Sequence, residues 1–313
     1  MKPFTGLFAY ENFPGRVSYF IRLGEKGGSY MSFELEKVEQ FRDEIRLKTL
    51  KELYHLGFGH YGGSLSIIET LAVLYGGVMK IDPNNPKWKE RDYFILSKGH
   101  GGPGLYAALA IKGYFPVEDL YTLNNNGTTL PSHPDRNLTP GVDMTTGSLG
   151  QGISAAVGVA LSHKLSKKEN YTFCIVGDGE LNEGQCWEAF QFAAHHKLNH
   201  LVVFIDDNKK QLDGLTKDII NPFDFEEKLK AFGFYSLKVD GSSIGEIYDA
   251  IKKGKAQTER PVAIVLDTIK GQGVPYLEQK VDNHHIRPSQ ADEVAILQAI
   301  DNLENRLGKG VER

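Results

Sequence analysis

Two short segments of this 313-residue chain carry oxygen donors in a pattern suited to a hard cation. The first is Gly177-Asp178-Gly179 and the second is Asp206-Asp207-Asn208, each directly after an apolar run that reads as a buried strand. Mg²⁺ takes oxygen ligands in an octahedron and usually completes the set with phosphate and water. An Asp carboxylate and an Asn carbonyl at neighbouring strand ends therefore imply a bound diphosphate. Glycines on both sides of Asp178 let the backbone come close, and a helix expected to begin near Glu180 would aim its free N–H groups and positive end at the same anion. A lone GDG is more often a tight strand-to-helix turn. It is also a poor dinucleotide fingerprint, because Gly177, Gly179 and Gly184 are spaced G-x-G-x-x-x-x-G rather than G-x-G-x-x-G. The Asn208 partner after the next strand is what favours the cation reading.

Four histidines, His60, His100, His133 and His284, fall in Gly- or Pro-rich loops rather than on an apolar face. Any one of them alone would be read as solvated. His195 and His196 fall inside a helical pattern and are assigned to packing or surface.

The elements that must position these groups follow from periodicity. An amphipathic helix, apolar at Leu35, Val38, Phe41, Ile45, Leu50 and Leu53, is expected to end near Gly57. A second helix is expected from about Ser66 to Tyr75, followed by the turn cluster Asp82-Pro83-Asn84-Asn85-Pro86 and a short buried strand, Tyr93-Phe94-Ile95-Leu96. Residues 151–165, rich in Ala and Val, read as a buried helix in which Gly158 allows close packing. Strand 171–176, helix 181–197 and strand 201–205 make one crossover unit, so those two strands are expected to be parallel. Further strands over 234–239 and 262–268 flank a helix over 245–253, and a last helix, capped by Ser289, runs from about 291 to 307. The order describes an α/β fold, a mostly parallel sheet with helices on both faces. In such a sheet ligands collect outside the carboxyl ends of the strands, where Asp178 and Asn208 fall.

Composition narrows the function class. Lys and Arg number 36 against 40 Asp and Glu, and the formal charge of −4 offers no basic surface for nucleic acid or an anionic membrane. No apolar run reaches the roughly 18 residues of a spanning helix and no secretory signal pattern is present, so a cytoplasmic protein is expected. Cys174 and Cys186 suit reduced core thiols better than a disulfide or a Zn site. The first 30 residues hold neither a helical nor a strand period. Lys26-Gly27-Gly28-Ser29-Tyr30-Met31 reads as a translated AAGGAGG-like ribosome-binding sequence ahead of a start codon. A native start at Met31 is expected, with residues 1–30 a non-native or disordered extension and 31–313 one domain.

The GDG turn, helix, strand and Asn in this order resemble the thiamine-diphosphate signature, and the detailed sequence resembles transketolases. The resemblance runs from about Phe41 to His284. It is carried by Gly59-His60-Tyr61-Gly62-Gly63-Ser64, Leu96-Ser97-Lys98-Gly99-His100, Ser132-His133-Pro134 and Thr145-Thr146-Gly147-Ser148-Leu149-Gly150-Gln151-Gly152. Gly177-Asp178-Gly179-Glu180-Leu181-Asn182-Glu183-Gly184, Asp206-Asp207-Asn208-Lys209 and Lys270-Gly271-Gln272-Gly273-Val274, with His284 beyond, complete it. The resemblance implies a thiamine-diphosphate-binding fold, with 31–313 as its diphosphate-binding domain. The implied cofactors are thiamine diphosphate and Mg²⁺, with Ca²⁺ or Mn²⁺ as substitutes.

Carried over residue by residue, Asp178 and Asn208 would be side-chain Mg²⁺ ligands and the main-chain carbonyl of Lys210 the third protein ligand. Gly177 and Gly179 would shape that loop. Gly147 and Leu149 would face the aminopyrimidine, and Leu149 and Leu212 would pack on the thiazolium ring. His100 and His284 would lie near the diphosphate, while His60 and His133 would contact the hydroxyls and carbonyl of the donor sugar. Neutral imidazoles suit those tasks, since they donate to sugar oxygens and move protons near neutral pH. Glu183 and Glu188 are either ordinary surface carboxylates or, by the resemblance, part of a subunit contact where carboxylates share protons. His285 departs from the pattern, standing where transketolases usually have Gly.

In transketolases the Glu that contacts the pyrimidine ring comes from a second, pyrimidine-binding domain, and none is expected within these residues. A partner chain of similar size is therefore expected, in an α₂β₂ heterotetramer with cofactors between unlike chains, and this chain alone should be inactive. The implied reaction transfers a two-carbon ketol unit from a ketose or its phosphate to an aldose or its phosphate, as in pentose phosphate metabolism. One alternative is a subunit of another split thiamine-diphosphate enzyme acting on 2-oxoacids, against which His60, His100 and His133 argue. The other is a non-catalytic Mg²⁺-binding regulatory homologue, against which the intact Asp178, Asn208 and four histidines argue.

Overall fold

Runs of β-branched and aromatic residues with no charge in their middles are suited to strands buried on both faces. In the computed structural model, which describes residues 34–308, such runs form β1 (Tyr93–Leu96), β2 (Thr172–Gly177) and β3 (Leu201–Asp207). A small antiparallel hairpin of β4 (Lys210–Gln211) and β5 (Gly214–Leu215) follows, then β6 (Tyr235–Asp240) and β7 (Val262–Asp267). Five strands make one all-parallel sheet in the order β1-β2-β3-β7-β6. The expected native start at Met31 lies outside the described residues.

The helices in chain order are α1 (Leu35–Leu56), α2 (Tyr61–Leu65), α3 (Ile68–Val73), α4 (Gly102–Lys112), α5 (Gln151–Leu165) and α6 (Gly184–His195). They continue with α7 (Thr216–Ile219), α8 (Phe225–Ala231), α9 (Ile244–Ala256), α10 (Pro275–Gln279) and α11 (Gln290–Arg306). Successive strand residues point to opposite faces. Phe173, Ile175, Val202, Phe204 and Ile264 face one core layer with buried residues of α1, α3, α4, α9 and α11. Cys174, Val176, Val203, Ile205 and Val265 face the other, with α5, α6 and α8. Each fully buried Val, Ile or Phe contributes about 1.5–3 kcal/mol, and the two layers hold the carboxyl ends of β2 and β3 in fixed register. Both cysteines are free and buried.

Three local expectations need correction. The second helix does not run over 66–75: α2 starts at Tyr61, a break at Ile67 precedes α3, and residues 74–78 close in a π-helical turn. The early start brings Gly62 against the Asn283 carbonyl and Gly63 against His100, where an added Cβ would lie 2.6 Å from the ring. The helix after Gly177-Asp178-Gly179 begins at Gly184 rather than near Glu180, because a 3₁₀ turn over 179–182 intervenes. Its N-terminus therefore starts four residues later than expected, with Glu183 as the N-cap. Finally, α5 is buried on one face only, and Gly158 lies on the exposed face with nothing within 4 Å of an added Cβ.

Helix ends follow their local chemistry. Gly57 adopts φ 80° and donates its N–H to the carbonyls of Leu53 and Tyr54, which stops α1. Ser289 and Asp292 form a reciprocal capping box on α11.

Candidate active site

β2 and β3 are adjacent and pair Gly177 with Asp206, so the residues just beyond them, Asp178 and Asn208, emerge side by side at the carboxyl edge of the sheet. Asp178 Oδ1 accepts from the Gly179 N–H at 2.8 Å. Its Oδ2 is buried and has no hydrogen-bond partner. Burial and the neighbouring Asp206 and Asp207 carboxylates push the Asp178 carboxyl up to about 7. Asn208 Nδ2 donates to Asp206 Oδ2 at 2.8 Å, which orients the amide and turns Oδ1 to the Lys210 N–H, 3.2 Å away. Lys209, between them, adopts φ 68°, a left-handed conformation that makes the turn tight. An orphaned carboxylate oxygen beside an oriented amide oxygen is a donor set for a hard cation, and these residues fit Mg²⁺ with a diphosphate.

A buried ion pair anchors this edge. Lys98 Nζ stands 2.5 Å from Asp206 Oδ2, with both side chains fully buried. Ser66 and Thr268 hydroxyls donate to the same carboxylate at 2.8 and 2.6 Å. Burial pushes the Asp206 carboxyl up, but Lys98 and these hydrogen bonds outweigh it and hold it below the usual range. One carboxylate thereby joins β1, β3, β7 and the segment between α2 and α3.

Glu180 does the same for the glycine loops. Its Oε1 accepts from Ser97 Oγ at 2.5 Å and from the Gly150 N–H at 2.9 Å, and its Oε2 accepts from the Gly177 N–H at 3.0 Å. The loop carrying Gly147 and Leu149 is thus tied to the Asp178 turn. Gly179 is needed where it stands, since an added Cβ would lie 2.7 Å from Gln211 Cβ.

The four histidines converge. The ring of His60 lies 5.7 Å from His100, 5.7 Å from His133 and 5.4 Å from His284, and His100 lies 4.8 Å from His284. Burial, helped by His285 and His133, lowers His60 to about 4. Burial and Lys270 lower His284 to about 3. Burial, with Lys98, drives His100 well below the usual range, and burial lowers His133. These imidazoles are neutral at physiological pH, each with one N–H to donate and one lone pair to accept.

A cavity of about 370 Å³ contains the whole set: the four histidines, Gly147, Leu149, Gly177, Asp178, Gly179, Asn208, Lys210 and Leu212. Leu149 and Leu212 are 37% and 67% exposed, apolar surface on an otherwise polar rim. Glu183 lines the mouth, while Glu183 and Glu188 are both exposed. Lys98, Lys270 and Glu180 were given no role from the sequence. Lys270 is buried and bridges the Lys210 carbonyl, at 3.2 Å, and His284 Nδ1, at 2.8 Å. A lysine at a strand end amid glycines was the available signal.

An all-parallel sheet whose adjacent strand ends present this donor set, with glycine loops above it, defines a thiamine-diphosphate-binding domain. A family model described as "Transketolase, thiamine diphosphate binding domain" matches residues 38–305, and the chain belongs to the transketolase family. It is 54% identical over 244 residues to the 6-deoxy-6-sulfo-D-fructose transketolase subunit SqwG of Clostridium sp. (strain MSTE9), covering 78% of this chain and 88% of that one. It is 38% identical over 247 residues to an apulose-4-phosphate transketolase subunit of Actinobacillus succinogenes, covering 79% and 88%. Among solved structures, Campylobacter jejuni transketolase matches with TM-score 0.80 at 26% identity, covering 89% of this chain and 44% of that one. A Pichia stipitis transketolase variant matches with TM-score 0.78 at 31% identity, covering 88% and 41%. The chain is a thiamine-diphosphate-dependent transketolase chain, an enzyme of two-carbon ketol transfer.

Proposed function

We propose that this chain is the diphosphate-binding subunit of a two-chain transketolase, acting on ketoses that carry an anionic group at the end remote from the broken bond. The observation that carries the cofactor assignment is the unpartnered, buried Asp178 Oδ2 beside the oriented Asn208 amide. Asp178, Asn208 and the Lys210 carbonyl hold Mg²⁺, and Gly177 and Gly179 admit the diphosphate. Bound thiamine diphosphate supplies, at its thiazolium C2, the carbanion chemistry that breaks and remakes the ketose C–C bond. Leu149 and Leu212 offer their exposed apolar surface to its rings, with Gly147 beside them. His100 and His284 donate toward the diphosphate side, and His60 and His133 orient the donor's hydroxyls and carry protons to and from its oxygens.

The names of the relatives, each one subunit of a transketolase, support a pyrimidine-binding partner chain, which we place with this one in an α₂β₂ assembly. Glu183 at the cavity mouth and Glu188 on α6 belong to that contact in this reading. The relatives act on a sulfosugar and a sugar phosphate by name, which supports the anionic donor class. Free, buried Cys174 and Cys186 support action in the cytosol. The domain is taken as 31–313, supported by the single parallel sheet and the family match over 38–305. Calorimetric titration of the two-chain complex with thiamine diphosphate and Mg²⁺ tests the proposal. Binding lost in Asp178→Ala is expected, and undiminished affinity in that variant contradicts it.

A further inference from the structure

The loop after His284 is stitched to the loop before His60. The Gly59 N–H donates to the Ile286 carbonyl at 3.0 Å and the Ile286 N–H donates to the Gly59 carbonyl at 2.9 Å, an isolated antiparallel bridge. His285 is held by this bridge against His60, with ring centroids 4.6 Å apart at 76°, and its ring lies 5.8 Å from Phe58. His60 lines the cavity while His285 is exposed beside it. Arg287 sets its guanidinium over the same Phe58 ring at 5.3 Å. Among the described residues, no carboxylate holds either His285 or Arg287 in an ion pair. Two side chains with N–H groups to donate, one of them permanently charged, therefore stand on the side of His60: His285 in ring contact with it, at a position where a glycine would offer backbone alone, and Arg287 on the neighbouring Phe58.

We infer that His285 is a specificity-determining residue that hydrogen-bonds a tetrahedral oxyanion, a sulfonate or a phosphate, at the far end of the donor ketose, with Arg287 adding charge. This rests on the proposed reading of His60 as the contact to the donor's hydroxyls. Both groups present three acceptor oxygens and no apolar face. They differ in charge, because the phosphate carries about −1.5 to −2 near neutrality. Hydrogen bonds to such charged acceptors are roughly twice as strong as neutral ones, enough for one side chain to set a preference.

The experiment uses the two-chain complex purified through a tag on this chain. Initial rates are measured with three donors that differ only at C6: 6-deoxy-6-sulfofructose, fructose 6-phosphate and fructose. The variants are His285→Gly, His285→Phe, which keeps the ring against His60 but has no N–H, and His285→Arg. The preference in kcat/KM for an anionic donor over fructose is expected to fall about tenfold in both Gly and Phe variants, through KM, and to survive in the Arg variant. A fall with only one anion assigns the site to that anion. An equal loss on all three donors, or a preference retained in the Phe variant, overturns the inference and reduces His285 to a packing group. A parent complex that turns over none of the three overturns instead the reading on which it rests.

Discussion

Nζ of buried Lys270 stands 2.8 Å from Nδ1 of half-buried His284, and both side chains line the cavity. A lysine ammonium only donates, so the nitrogen it meets is the lone-pair one and the imidazole proton sits on Nε2. Burial and Lys98 lower Lys270 to about 8, which leaves it charged at neutral pH. In Lys270→Met, His284 is expected to titrate closer to its ordinary 6.5, and kcat to fall by about a hundredfold as the ring loses its fixed tautomer. An NMR titration of the His284 ring checks this; an unmoved titration contradicts it.

Asp178 carries the opposite kind of shift. Its folded-state value of about 7 lies above the ordinary 3.8, so the fold is favoured while the carboxyl is protonated and loses stability as pH rises from 3.8 through 7. Asp178→Asn is therefore expected to stabilise the cofactor-free chain at pH 8, by about 1–3 kcal/mol, and to change its stability little at pH 4. The same variant should bind thiamine diphosphate and Mg²⁺ at least about a hundredfold more weakly, because the amide carries no charge and, with its oxygen held by the Gly179 N–H, turns its NH₂ to the place of the free Oδ2. Thermal melts at the two pH values, lower for the variant at both, would contradict this account.

Glu180→Ala leaves the Gly150 and Gly177 N–H groups and the Ser97 hydroxyl without their common acceptor. The expected loss is about 3 kcal/mol in urea unfolding, with Glu180→Gln losing less because one amide oxygen still accepts. Cofactor affinity should fall with it, since the Leu149 loop and the Asp178 turn come apart. Unchanged unfolding would show that water replaces the carboxylate without cost.

Acid should destabilise the fold through its histidines. The folded values of His60 and His284, about 4 and about 3, lie below the ordinary 6.5, so the unfolded chain binds protons first as pH falls. Their contribution is present above 6.5 and is lost as pH falls from there through about 4 and then 3. Urea midpoints measured between pH 7 and 4 should decline, and His60→Asn should flatten the decline. Parallel curves for parent and variant would assign the acid sensitivity elsewhere.

The strands were legible to within a residue or two because each is a short apolar run buried on both faces, so composition and position coincide. The placing of Asp178 and Asn208 at neighbouring strand ends was legible for the same reason, as the turns that hold them close such runs. The early start of α2 was not, because its Gly62 and Gly63 pack against Asn283 and His100, far along the chain from them. Nor was Gly158, whose small size reads alike on a packed or an open face. Lys98, Glu180 and Lys270 escaped because their roles depend on partners such as Asp206, Gly150 and His284, which no local spacing connects to them. The 3₁₀ turn after Asp178 was hidden by a helix-compatible run that begins four residues before α6 does.

The most direct test of the central claim is a ketol-transfer assay with fructose 6-phosphate or 6-deoxy-6-sulfofructose as donor and glyceraldehyde 3-phosphate as acceptor. This chain is assayed alone and with the pyrimidine-binding partner proposed for it, with and without thiamine diphosphate and Mg²⁺. Transfer only in the complete mixture is the predicted result. Full transfer by this chain alone, or neither transfer nor cofactor binding in any mixture, would contradict the account.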